Sequence, residues 1–483
     1  MIETLPAPTV CDAVRIHAAL PIFRIAERDR TVFYTPGDVF VTTPTIGLAV
    51  EAALTTGQPM AVSGVREIVR LLEHRGSAAT RAWTDLGERA FEPECLTLYL
   101  SNRCNLGCSY CFAMPSEPTV ARNRRRLYPS VDHDFPLLDL RIATAAARLV
   151  ARHCVRKSKP LALVVHGGGE PTQHWDLLRQ VRANVEQVAA DHALSTFTYI
   201  ATNGVFTEDR AQWLAANFHL IGLSCDGPPD IQNANRPTGG GQCTADVVER
   251  TARTFVNAGG AHSVRATIVP TTNHRQSEIV RYAFEKLGAR TVRFEPAYDA
   301  KRTGGPSFRA EDAEAFVDAF LDATIVAREM GCDLRISGVR LDEIHGPYCN
   351  PLREVLQLTP EGKARGCFLT TDDSGTDDAS MSLGHFDAAR DEFIVDQERV
   401  SRFRRRAARV PSRCTSCQNV YHCARDCPDL CMLADPVDGS APGFRCRVQK
   451  ALGLHWIRET AARLPVSTPF QATFAAGEAL AYQ

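Results

Sequence analysis

Ser101–Phe112 reads SNRCNLGCSYCF and places Cys104, Cys108 and Cys111 on one short loop. The loop follows an apolar run, Leu96–Leu100, that has the length and composition of a buried strand. Thiolates are soft ligands that suit iron–sulfur clusters or zinc. A structural zinc site takes four ligands, and this loop has three, with no fourth Cys or His beside them. Three thiolates on a four-iron cluster leave one iron open to a substrate or cofactor.

Working outward, strand-like runs recur at Leu161–Val165, Phe197–Ala201, Ile221–Ser224, Val264–Val269 and Thr291–Glu295. Helical patterns lie between them at Leu140–Arg152, Trp175–Ala189, Ala211–Asn217, Ala245–Ala258 and Ser277–Leu287. With Leu96–Leu100 this makes six βα units, an α/β chain with a parallel sheet and helices outside it. An open or partial barrel then carries its functional groups at the C-terminal strand ends. Upstream, β-like runs at Thr31–Tyr34 and Val39–Thr43, followed by helical patterns at Ile46–Leu54 and Val65–Glu73, fit a small α+β module over 1–90. Met114–His133 is a polar insert carrying Arg122, Arg124, Arg125 and Arg126, read as a solvated loop, or as a lid or a contact for an acidic substrate segment. Residues 310–330 read as a connecting helix, and Val448–Leu464 as the helix that precedes a loose tail.

The 483 residues suggest two or three domains. Lys plus Arg number 55 against 56 Asp plus Glu, so no overall field favours nucleic acid or an anionic membrane. No apolar run approaches the roughly 18–20 residues that span a bilayer, and no secretory signal opens the chain. The expectation is a cytoplasmic protein without membrane or nucleic-acid partners. In such a chain 17 cysteines point to metal binding or catalysis before disulfides.

The spacing of the first cluster, with Tyr110 before its last cysteine, resembles the radical S-adenosylmethionine (SAM) superfamily. His166–Thr172, HGGGEPT, resembles its GGEP motif, here Gly168, Gly169, Glu170 and Pro171. Thr202-Asn203-Gly204 ends the third strand run, and Ser224-Cys225-Asp226-Gly227-Pro228 ends the fourth, similar to the family's SxDGP. Arg236, in NANRPTGGG, and Val269, in VRATIVP, match positions near the cofactor carboxylate and adenine. The resemblance implies a partial (β/α)6 TIM-like barrel over 94–310 and a four-iron cluster on Cys104, Cys108 and Cys111. It also implies S-adenosylmethionine held by Gly168, Gly169, Glu170, Pro171, Asn203, Ser224, Asp226, Arg236 and Val269.

Farther on come Cys349, Gly362, Cys367, Cys414, Cys417, Cys423, Cys427 and Cys446. Their order resembles the SPASM domain, expected over 349–450 after a linker helix region at 311–348 and before a tail at 451–483. The resemblance implies two auxiliary four-iron clusters, making three [4Fe-4S] clusters in all. Cys414, Cys417, Cys423 and Cys446 would hold one, and Cys349, Cys367 and Cys427 the other. Its fourth ligand is Cys431, Cys332, or an open iron able to take a substrate thiolate. Asp342, Glu343, Asp372 and Asp373 are candidate bases.

Family members modify peptides, so the resemblance implies a precursor peptide or small protein substrate and an electron donor such as flavodoxin or ferredoxin. A Cys thioether is the favoured cross-link. Phe368, after Cys367, departs from the aspartate of formylglycine-forming relatives. Residues 1–90 would capture a leader peptide by strand addition, as a winged-helix-like module does. The alternatives are a dehydrogenase or mutase of a small molecule, and a non-catalytic iron–sulfur or zinc scaffold.

Overall fold

The computed structural model describes residues 13–57, 64–112, 135–298, 305–369, 381–431, 441–466 and 470–473. The basic insert at 114–133 and the candidate bases Asp372 and Asp373 lie outside these.

Four short strands open the chain: β1 (Ala13–Arg15), β2 (Phe23–Ala26), β3 (Thr31–Thr35) and β4 (Asp38–Thr42). They pair antiparallel in sequence order. Both central strands are buried on both faces. Phe33 and Phe40 pack with Val50, Leu54, Ile68 and Leu72 of helices Pro44–Thr56 and Val65–Glu88. Val32, Tyr34, Val39 and Val41 join the main core of the molecule. The second helix runs 15 residues beyond the expected Glu73, and its buried positions there are Gly76, Ala79, Trp83, Leu86 and Gly87. A Cβ on Gly76 would sit 3.2 Å from Leu20 Cβ, so small residues pack closely in mid-helix while Trp83 and Leu86 join the main core.

The main sheet realises the expected α/β partial barrel. β5 (Cys95–Leu98), β6 (Leu161–Val165), β7 (Thr196–Thr202), β8 (Leu220–Ser224), β9 (His262–Ile268), β10 (Thr291–Pro296) and β11 (Asp333–Ile336) lie parallel and in order. Every residue of β6 is buried, as a strand covered on both faces requires. Helix Ala313–Met330 and β11 fall within the stretch read as a linker, yet they add a seventh βα step. On the other edge β12 (Val355–Leu358) pairs parallel with β5. β13 (Ala364–Arg365), β14 (Ser382–Asp387) and β15 (Glu392–Val395) continue antiparallel. The eleven strands form one line, so the barrel stays open.

The tail departs from its reading as loose sequence. β16 (Phe470–Thr473) pairs antiparallel with β4, from Phe470 against Val41 to Thr473 against Asp38. The β4 edge of this sheet is therefore covered by the chain's own C-terminal segment, and β1 forms the opposite edge. Helix Phe444–Ala462 brings the chain there by packing against β3 and β4. No described helix is long and apolar enough to cross a membrane.

Candidate functional site

The loop after β5 is gripped from two sides. On one side Gly169 N donates to Ser101 O at 3.0 Å, and Glu170 N to Arg103 O at 2.8 Å. The contact leaves no room for a side chain: a Cβ on Gly169 would lie 1.9 Å from Arg103 O. On the other side Gly107 N donates to Pro237 O at 2.8 Å, Ser109 N to Asn235 O at 3.1 Å, and Gly239 N to Asn105 O at 2.9 Å. The run NANRPTGGG is thus a backbone clasp on the cysteine loop, in addition to carrying Arg236.

Two buried carboxylates tie the strand ends together. Glu170, 4% exposed, accepts from Thr172 N, Thr172 Oγ1 and Thr202 Oγ1 on one oxygen and from Asn203 N on the other. Burial raises its pKa, and these four bonds oppose the rise. Both oxygens are occupied by the protein, so Glu170 is first a bracket between β6 and β7. Asp226, fully buried, accepts from Arg236 Nε at 2.9 Å and Thr267 N at 2.9 Å on Oδ1, and from the Tyr110 hydroxyl at 2.5 Å on Oδ2. It joins the cysteine loop, β8, β9 and the clasp in one knot. Arg236 also lies over the Tyr110 ring, 5.4 Å from its centre.

These loops open on a cavity of about 350 Å³. Cys104, Cys108, Cys111, Gly168, Gly169, Glu170, Asn203, Ser224 and Arg236 line it. Pro171, Asp226 and Val269 do not; Thr267, two residues before Val269, lines it in its place. Val269 N and O are both engaged by Thr272. The candidate bases Asp342 and Glu343 also lie off the cavity, because Glu343 turns toward Arg340 and Arg353 behind its wall. Glu170 and Glu295 are the carboxylates that line it among the described residues. The sequence reading had passed over Glu295, since an isolated Glu on a strand carries no motif. His166, also on the wall, is pushed down to about 4 by burial and then by Arg265, so it is neutral at pH 7.

The three loop cysteines are partly buried and form no disulfide among the described residues. Burial pushes Cys108 up to about 12, and burial raises Cys104 as well. Thiols in that state ionise readily only against a strong positive centre, which a bound metal group provides. Donor type and shared cavity therefore fit an iron–sulfur cluster. Among the described residues no three metal-ligating side chains converge closely enough for a single ion.

The C-terminal cysteines fall into two sets. Cys349, Cys367, Cys427 and Cys431 line one small cavity of about 30 Å³. Cys332 is elsewhere, its Sγ 3.9 Å from Ala289 O. Cys414, Cys417, Cys423 and Cys446 form the second set: Cys417, Cys446 and Cys414 each add to the rise that burial gives the Cys423 thiol. Asp426 ties that set together by accepting from Cys446 N at 2.9 Å and Arg413 Nη2 at 2.7 Å. Tyr99 links the layers, its hydroxyl donating to Phe368 O at 3.1 Å.

Residues 98–283 match the family model described as the radical SAM superfamily. The chain is 23% identical over 227 residues, 46% of its length, to a cysteine-type anaerobic sulfatase-maturating enzyme of Clostridium perfringens. It is 22% identical over 228 residues to the protein so described from Clostridium novyi. It spans 57% of the length of each. A solved structure described as native anSMEcpe with bound AdoMet superposes with a TM-score of 0.57 at 18% identity, covering 77% of this chain and 100% of that one. Another, with bound AdoMet and Cp18Cys peptide, gives 0.58 at 18% identity over 77% and 99%. The region that matches the radical SAM model, residues 98–283, holds the three-cysteine loop, the glycine loop and the strand-end bracket of one parallel sheet.

Proposed function

We propose that this chain is a radical SAM maturase that modifies a peptide or small protein through a cross-link. The observation that carries the reading is the continuity of one cavity. It begins at Cys104, Cys108 and Cys111, passes Gly168, Gly169 and Ser224, and ends against Phe368 and Pro428 of the C-terminal cysteine layer. When bound, a reduced four-iron cluster with one open iron supplies the electron that cleaves S-adenosylmethionine to a 5'-deoxyadenosyl radical. The chain supplies placement. The three thiolates hold the cluster, the glycine backbone lets the cofactor approach, and Asn203, Ser224 and Arg236 present polar groups to it. Phe112 and Phe368, edge to face with ring centres 5.7 Å apart, keep that end of the cavity apolar. The sulfatase-maturating relatives and the peptide in one solved structure support a peptide substrate. A flavodoxin or ferredoxin would deliver the electron.

The two C-terminal sets would hold two auxiliary four-iron clusters, with Cys431 as fourth ligand beside Cys349, Cys367 and Cys427. With four thiolates no iron is open, so a thioether product rests on the family resemblance and not on a site for a substrate thiolate. Cys431→Ala is expected to lower the iron content below about twelve per chain and to change the Mössbauer spectrum, while Cys332→Ala leaves both as in wild type. The reverse pattern would overturn the assignment.

The test of the whole reading is iron and sulfide content with anaerobic S-adenosylmethionine cleavage. Wild type should carry about twelve irons and release 5'-deoxyadenosine, and the Cys104/Cys108/Cys111→Ala protein should release none. Zinc in place of iron, or no cleavage under a strong reductant, would leave a metal-stapled scaffold instead.

A further inference from the structure

The cavity wall away from the cysteine loop is lined by Arg265 of β9, Arg293 of β10, and Arg340, Arg353 and Arg445 from later segments. Arg265 and Arg293 share Glu295, whose Oε1 is 3.5 Å from Arg265 Nη2. Arg340 and Arg353 share Glu343, in direct contact with Arg340 and 3.8 Å from Arg353 Nη2. Arg445 is paired with Asp429 at 2.9 Å. Asp342 also acts on Arg340. Of these carboxylates only Glu295 lines the cavity, so Glu343, shared by Arg340 and Arg353, stands behind the wall. The crowding of guanidiniums leaves its mark on two of them. Burial lowers the pKa of Arg293 and Arg340, and the neighbouring Arg265 and Arg353 lower them further.

The uncharged groups on this wall are also donors without acceptors. Gln357, 1% exposed, accepts from Asn350 Nδ2 on its Oε1, while its Nε2 has no partner among the described residues. The hydroxyls of Tyr298 and Tyr348 and the Nε of Arg353 are buried and unmatched as well, and all four residues line the cavity. Clustered guanidiniums and a row of orphaned donors in one partly buried space are costly unless a ligand brings negatively charged acceptor oxygens. Planar guanidinium forks suit a carboxylate, which they can bind through two parallel bonds.

We infer that this wall is the specificity site for an acidic side chain, Asp or Glu, of the substrate peptide, recognised by Arg340 and Arg353 with Gln357, Tyr298 and Tyr348. The inference rests on the peptide-maturase reading and names the kind of residue that must lie next to the modified position. Two other carboxylates share this chemistry, the C-terminus of a peptide and the carboxylate of S-adenosylmethionine.

The experiment uses the reconstituted enzyme and three mass-encoded pools of synthetic cysteine-containing peptides. One carries Asp or Glu and an amidated terminus, one Asn or Gln and an amidated terminus, and one Asn or Gln and a free terminus. Wild type should retain the acidic pool about tenfold or more over its amide counterpart, the equivalent of about 1.4 kcal/mol. Arg340→Gln/Arg353→Gln should erase that preference, and Arg340→Lys/Arg353→Lys should restore part of it; circular dichroism checks that each variant is folded. Equal retention of the acidic and amide pools overturns the inference and leaves the peptide reading standing. So does retention of the free-terminus pool alone. A double Gln variant that keeps the acidic preference and loses affinity for S-adenosylmethionine would assign the arginines to the cofactor and overturn it too. Retention of no pool overturns the inference and the peptide reading together.

Discussion

Gly169→Ala is expected to empty the first cysteine loop of iron and abolish S-adenosylmethionine cleavage, while the C-terminal cysteine layer keeps its metal. The new methyl group would meet Arg103 O at 1.9 Å, Arg103 C at 2.5 Å and Arg103 N at 2.7 Å. All three atoms are backbone, so no rotamer change relieves the clash, and Arg103 directly precedes Cys104. The loop must move outward, which breaks the Gly169 N to Ser101 O bond of 3.0 Å and the Glu170 N to Arg103 O bond of 2.8 Å. On the proposed content of three clusters, iron should fall by about a third, and 5'-deoxyadenosine should become undetectable. Full iron and wild-type cleavage in this variant would mean that the two loops do not touch in this way.

Asp226→Asn should be the most destabilising single change in the barrel. Asp226 is fully buried and answers the charge of Arg236, whose side chain is 11% exposed. Removing one member of a buried pair leaves the other uncompensated, at a cost of about 3–5 kcal/mol. The loss extends to the Tyr110 hydroxyl and to Thr267 N, which use the same carboxylate. A lowered urea midpoint is therefore expected together with weaker S-adenosylmethionine binding, because Tyr110 belongs to the cysteine loop and Arg236 to the cavity wall. Asp226→Leu/Arg236→Met, which removes both charges, should recover part of the midpoint without recovering the binding. An Asp226→Asn protein as stable as wild type would show that the pair contributes little.

Much of the site was legible because its chemistry is local. Cys104, Cys108 and Cys111 fall within eight residues, and HGGGEPT and SCDGP directly follow apolar runs long enough to read as strands. The roles inside those motifs were less legible. Glu170 and Asp226 were read as cofactor ligands, and the fold gives them protein partners that link neighbouring strand ends. Asp342 and Glu343 looked like bases because they are acidic and near the cysteine layer, but a carboxylate's target is set by the nearest cation in space. Cys431 and Cys332 could not be separated by spacing, whereas folding puts Cys431 beside Cys349, Cys367 and Cys427 and leaves Cys332 near Ala289.

The sequence by itself determined the parallel α/β order and the position of the three-cysteine loop at a strand end. Each of these rests on periodicity or spacing over a few neighbouring residues, where side-chain chemistry and backbone propensity act directly. Only the tertiary structure decided which edges the sheets would close. β12 and β16 are four residues each, too short for any period to register, and they are strands because β5 and β4 offer them unpaired backbone groups. It likewise decided the arginine wall, whose members lie at 265, 293, 340, 353 and 445 and share nothing in sequence. What unites them is the wall of one cavity, to which β9, β10 and three later segments each contribute.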